Sequence, residues 1–253
     1  MKDAAVIGEV IRVTARQLLG RRRTLLMGLL AVVPVLLALI YRLGGSESGS
    51  VGADREFLTG LFDALIVTLL LPLVALLFGT AAFGAEIEDG TVIYLLAKPI
   101  ERLRLVFAKL VVAAGATFAL VGSSTLVSGL IVLVGVPDGP SLIVGYLVGV
   151  GAGAVLYGAV FVALSLVTGR ALIAGLLYVL IWEGLLANLF AGIRVLSIRQ
   201  YVLGLADAAG VSGRITSDVL PAGSAVLLAV LVAVLAVGVA LRRLRGFEVP
   251  QAD

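Results

Sequence analysis

Apolar runs of membrane length alternate with short polar gaps along this chain, and the pattern predicts six spans. They lie near 25–43, 61–83, 106–136, 141–168, 171–191 and 219–241. A run of 18 or more apolar residues reads as a transmembrane helix, because about 20 residues at 1.5 Å rise cross a hydrocarbon core of roughly 30 Å. Residues 6–20 follow a different rule. Ile7, Val10, Ile11, Thr14 and Leu18 share one helical face, while Glu9, Arg12 and Arg16 share the other. A basic amphipathic helix of this kind rests in the headgroup layer. Arg21-Arg22-Arg23 then fixes the start of the first span; a plain basic anchor without further role is the competing reading.

The gaps differ in character. Pro34 and Pro72 fall inside the first two spans and predict kinks, which membrane helices tolerate when neighbours or hydroxyls satisfy the freed carbonyl. Pro137-Asp-Gly-Pro140 is a strong turn signal and predicts a tight hairpin between the third and fourth spans. Gly169-Arg170 is a shorter break, and one very long kinked element competes there with two spans. The Gly/Ser-rich stretch Gly44–Gly60 reads as a flexible connection. Residues 192–218 are too polar to span, yet Val195–Ile198 and Tyr201–Ala206 keep apolar character, so short helices resting on the outer face are expected. No internal repeat is visible, which argues against an inverted-repeat carrier.

Composition places the chain in the membrane class. It is 61% apolar and 14% charged, where a soluble domain is nearer half apolar and a quarter charged. The expected fold class is therefore an all-α integral membrane protein, one transmembrane domain over residues 1–253. The first run is long enough to span, so a cleaved leader is not expected. With neither cysteine nor histidine, disulfides, thiolate metal sites and the commonest general base are excluded. No G-x-x-x-x-G-K-[ST] loop, G-x-S-x-G elbow or H-E-x-x-H helix occurs.

Charge gives orientation rather than nucleic-acid binding. Lys2, Arg12, Arg16, Arg21–Arg23, Lys98, Arg102, Arg104, Lys109, Arg170, Arg242, Arg243 and Arg245 fall on one side; Arg42, Arg55, Arg194, Arg199 and Arg214 fall on the other. Fourteen against five predicts that both termini face the cytoplasm of a plasma-membrane protein.

Three features carry candidate chemistry. Glu183 and Asn188 lie in the fifth span, where an ionisable group needs a partner or a cavity. They line a polar path or helix contact, or else sit near the interface beside Trp182 as a belt residue. Asp63, near the outer end of its span, is expected simply to meet water. Gly145, Gly149 and Gly153 form a small-residue stripe for close helix packing, within the chain or across a dimer. Between the second and third spans lies a polar island, 84–109. Gly90 permits a turn, Thr91 is a candidate cap for a short helix over Val92–Ala97, and Pro99 ends it. A plain solvated loop is the alternative.

The island has a pattern, E-x-E-x-G-T-x-x-x-L-L-x-x-P-I-x-R, followed by a lysine near the start of the next span. Glu86, Glu88, Gly90, Thr91, Leu95, Leu96, Pro99, Ile100, Arg102 and Lys109 carry it. This resembles the cytoplasmic signature of ABC type-2 transporter permeases. The chain departs from it at Lys98, usually a small or hydroxyl residue, and in lacking glycine before Lys109.

The resemblance implies a permease subunit of an ATP-driven transporter, an exporter by expectation, working as a homodimer with two copies of an ABC ATPase. Glu86, Glu88, Gly90, Thr91, Pro99 and Arg102 would couple it to that ATPase through the short helix in loop 84–105. ATP and Mg would reside on the partner, this chain not being an enzyme itself. An alternative is a complex that transmits force to an extracytoplasmic partner, with 192–218 as the contact surface. A channel or carrier acting alone fits less well, given so few intramembrane charges.

Overall fold

The structure, a computed structural model, describes residues 12, 14, 22–44, 51–88, 101–133, 136–189, 192, 194–210 and 220–246. Every regular element among them is helical. Five helices are long and apolar enough to cross a membrane: Thr24–Leu43, Val51–Gly84, Arg102–Leu133, Gly139–Val167 and Ala222–Arg245. A shorter apolar helix, Ala171–Leu186, joins them. The chain is an integral membrane protein of the all-α class, as its apolar pattern predicts.

The first helix, α1 (Arg22–Leu43), contains Pro34. Ser124 Oγ, from a neighbouring helix, donates to Ala31 O at 2.6 Å, next to the Leu30 carbonyl that the missing proline N–H leaves without a donor. The second rod is longer than its apolar run. It begins as α2 (Val51–Gly60), widens into a π-helical stretch (Leu61–Leu70) and continues as α3 (Leu71–Glu88). Both junction residues, Gly60 and Leu71, keep right-handed helical dihedrals, so the rod is unbroken. The Leu71 N–H reaches back to Ile66 O. That five-residue step falls just before Pro72, whose ring would otherwise crowd the carbonyl four residues earlier.

The expected flexible connection Gly44–Gly60 is thus a helix over its second half. Asp54, Arg55 and Thr59 find partners on neighbouring elements. Tyr41 stacks on Phe57 at 3.9 Å and its hydroxyl donates to the buried Asp54 at 2.9 Å. Arg55 donates to Pro137 O at 2.9 Å, tying this helix to the turn before the fourth span.

Next come α4 (Arg102–Leu133) and α5 (Gly139–Val167). Asp138 takes a left-handed φ of 62° in the turn between them, a conformation aspartate tolerates better than most side chains. Thr168 is extended and ends α5, so the break at Gly169-Arg170 separates two elements. The following rod is α6 (Ala171–Leu177), a second π-helical stretch (Tyr178–Leu186) and the short α7 (Ala187–Leu189). A 3-10 turn (Arg194–Leu196) leads into α8 (Ile198–Ala209), and α9 (Ala222–Arg245) closes the bundle.

Helix α5 is the hub, packed on α3, α4, α8 and α9. The residues expected to rest on the outer face instead enter the bundle. Ile198, Tyr201, Val202, Leu203 and Ala206 of α8 are all buried. The glycine stripe of α5 makes room for them. A Cβ on Gly145 would lie 2.6 Å from Ala206 O, one on Gly149 2.8 Å from Ala206 Cβ, and one on Gly153 2.8 Å from Val202 Cγ2. Since Val202 faces Gly153 and Gly210 faces Gly145, α8 runs antiparallel to α5. Its N-terminus is the deep end. It is a re-entrant helix.

A matched pair of substitutions tests this packing. Gly145→Ala sets a methyl against backbone and should destabilise by about 1–3 kcal/mol, as overpacking does. Gly115→Ala meets nothing within 4 Å and should be neutral or slightly stabilising. Thermal unfolding of the two variants in detergent compares them directly.

Candidate coupling site and a buried polar anchor

Residues 89–100, between α3 and α4, lie outside the described residues. Gly90, Thr91 and Pro99 are among them, as is the short helix expected there, and the side chains of Glu88 and Asn188 also lie outside. Of the amphipathic segment 6–20, Arg12 and Thr14 are described: both are helical, Arg12 exposed and Thr14 buried. The two ends of the loop are well defined. Glu86 lies in the last turn of α3, and Arg102 is the half-buried first residue of α4. One turn on from the loop, Arg104 pairs with Glu101 at 2.7 Å.

Lys109 binds the loop ends together. Its ammonium donates to Glu86 Oε1 at 2.5 Å and to Ala82 O, and sits 4.5 Å from the centroid of the Phe83 ring. The lysine side chain is 1% exposed and Glu86 is 15% exposed. Desolvation of this kind is tolerable only with a partner close by. The cation also meets the C-terminal end of α3, where the helix dipole favours positive charge. The second and third spans are therefore clasped where they flank residues 89–100.

A second polar cluster lies within the bundle, built around the N-terminus of α8. Glu183, 1% exposed, accepts from the Ile198 N–H at 2.9 Å, from the Tyr178 hydroxyl at 3.0 Å, and from the Ser197 hydroxyl. Ser197 is the residue ahead of α8, but its hydroxyl does not cap its own helix. Glu183 takes over that role from the preceding rod. A carboxylate at a helix N-terminus satisfies an orphan N–H and is favoured by the dipole. Three donors from Tyr178, Ser197 and Ile198 thus surround Glu183 at the start of α8. The hydroxyl of Tyr157 is buried alongside and forms no hydrogen bond among the described residues.

One residue further into α8, Arg199 forms a bidentate pair with Asp63, at 2.7 and 2.9 Å from its Nη2 and 3.0 Å from its Nε. Asp63 was expected to meet water; it meets an arginine instead, with both side chains about four-fifths buried. The two acids share a local feature. Asp63 lies in the first π-helical stretch and Glu183 in the second. The glycine stripe Gly145–Gly153 packs along Val202, Ala206 and Gly210 of α8, so three elements hold one re-entrant helix.

Sequence reasoning named Glu183 but missed Ser197, Arg199 and Tyr178 as its surroundings. The signal was available: Arg199 lies in an otherwise apolar segment, and two charges in membrane-depth helices need each other. Glu86 and Lys109 were both within the loop pattern, without their pairing being recognised.

The described residues thus form a helical membrane bundle with a clasp at one end and a re-entrant helix at the other. Residues 19–193 match the family described as ABC-2 family transporter protein, and the chain belongs to that family. The match ends just before Ser197, Ile198 and Arg199. No curated protein matches the chain.

Removing one partner of a buried ion pair leaves an uncompensated charge. Arg199→Met or Asp63→Leu alone should cost about 3 kcal/mol of stability, whereas the double substitution should recover most of it. A double-mutant cycle on the unfolding midpoint in detergent measures this; additive losses would mean that the two side chains do not interact.

Proposed function

We propose that this chain is the permease subunit of an ATP-driven ABC exporter in the plasma membrane, driven by a separate ATPase. Family membership makes it the membrane subunit of an ABC transporter; direction and coupling go beyond that. In this reading two copies of the chain pair around a path, two ATPase subunits dock at loop 84–105, and ATP and Mg are bound on those subunits. The basic bias of Lys98, Arg102, Arg104, Lys109 and Arg242–Arg245 supports a cytoplasmic location for that end and for both termini.

The observation that carries the reading is the Lys109 clasp. Glu86 and Lys109 tie the loop to α3 and α4, and α3 belongs to the unbroken rod that begins at Val51. Closure of the ATPase dimer would act on Glu88, Gly90, Thr91 and Pro99, with Arg102 beside them. The clasp converts that push into movement of two spans together. The same rod bears Asp63, 23 residues before Glu86, or about 35 Å along a helix, and Asp63 holds α8. ATP binding would then shift the balance between two packings of α8 by its differential affinity for them.

The force-transmission reading needs residues 192–218 as a contact surface. Burial of Tyr201, Val202 and Ala206 inside the bundle favours transport instead.

The test is reconstitution with the ATPase that co-purifies with this chain. Gly90→Val, Glu88→Lys and the double variant Lys109→Met with Glu86→Gln, which leaves no buried charge unpaired, should insert and assemble normally. Each should reduce substrate-stimulated ATP turnover by at least about fivefold, the low end of typical coupling energies. Full stimulation and transport in all three variants would remove the coupling assignment.

A further inference from the structure

At the end of the bundle that carries the loop, α5 and α9 diverge around a cavity of about 720 Å³. Among the described residues its lining is two-sided. Leu166 and Val167 form the apolar wall at the last turn of α5; Val239, Arg242, Arg243 and Gly246 line the other side. The α9 residues fall at i, i+3, i+4 and i+7, a single helical stripe. That stripe changes along its length from an apolar residue facing the bilayer to two guanidiniums at the helix end. Among the described residues neither guanidinium forms an ion pair. Arg170, exposed, follows three residues after Val167 in the turn beside the apolar wall.

We infer that this groove is a binding site for an anionic phospholipid. The guanidiniums of Arg242 and Arg243 would take the headgroup phosphate, and the first acyl methylenes would lie along Leu166, Val167 and Val239. Three observations converge on that occupant. The volume falls within the range of small-ligand sites, roughly 300–1,000 Å³. Guanidinium matches the geometry of phosphate oxygens and is easily desolvated, unlike ammonium. The ordering of chemistry along the groove, apolar toward the bilayer and cationic at its edge, is that of a lipid lying with its headgroup at the surface. A soluble phosphate compound would have no use for Leu166 and Val239. Basic pockets between membrane helices recognise headgroups in this way. The site is separate from loop 89–100, and its test does not depend on coupling to an ATPase.

Arg245 separates a site from mere surface charge. It lies in the same last turn of α9 but does not line the groove. The purified full chain in detergent is mixed with phosphatidylglycerol, with phosphatidylcholine of the same acyl chains, or with inorganic phosphate, and bound lipid is counted by native mass spectrometry. Phosphatidylglycerol should be retained over phosphatidylcholine by about 10- to 30-fold, the combined effect of two arginines near the surface. Arg242→Gln with Arg243→Gln should bring the two lipids to parity, and Arg245→Gln should leave the preference intact. Val239→Trp, which fills the groove without changing charge, should lower phosphatidylglycerol retention. Equal retention of both lipids by the unaltered chain, the result for a groove kept for a protein partner, overturns the inference. So does an Arg245→Gln loss as large as the double variant's, displacement of the lipid by equimolar inorganic phosphate, or a Val239→Trp variant that binds normally.

Discussion

A helix that begins inside a hydrocarbon layer must find acceptors for its first N–H groups, because neither water nor a preceding turn supplies them. That constraint organises this bundle. Helix α8 starts beside Glu183 and Asp63, and both acids are spent on its first residues: one on the Ile198 N–H and the Ser197 hydroxyl, the other on Arg199. Without them α8 could not be buried, and the glycine face of α5 would have nothing to pack against. The acids in turn are tolerable only because α8 is there. Each makes the other affordable.

The span pattern was legible because it depends on composition over long windows, which tertiary context hardly alters. The break after Thr168 and the turn at Pro137–Pro140 were legible for the opposite reason, since Gly and Pro impose local geometry. What escaped was long-range. Asp63 and Arg199 are 136 positions apart, and a hydropathy window sees each as an isolated charge near a span end. The helix Val51–Gly60 escaped because its polar residues look solvated until Tyr41, Pro137 and Asp138 supply their partners. The glycine spacing of α5 was visible, but not which helix fills it; a small-residue stripe specifies closeness and leaves the neighbour open.

The two polar clusters differ in what surrounds them. The Lys109 clasp joins helices consecutive in the chain, its partners 23 residues apart, so little chain entropy opposes its formation. The α8 anchor joins elements distant in sequence, and both of its acids stand in π-helical stretches. A π-helical turn is wider than an α-turn and less well packed, which is why such stretches mark functional positions more often than structural ones. Placing the acids there puts the widened part of each rod at the contact with α8.

Ion pairs are a poor device for stability alone, since apolar residues of matching shape often do as well in a buried site. A bidentate guanidinium–carboxylate pair has a different property: it is satisfied in one register and badly unsatisfied in others. An apolar α8 could slide along the glycine face of α5 at little cost, because Gly145, Gly149 and Gly153 offer no side chains to interlock. Asp63 and Glu183 remove that freedom by fixing where α8 begins. A discrete polar latch on a smooth apolar face separates two registers more sharply than packing alone. The same argument applies at the loop, where Lys109 selects one arrangement of α3 and α4 from the many that apolar contact would permit.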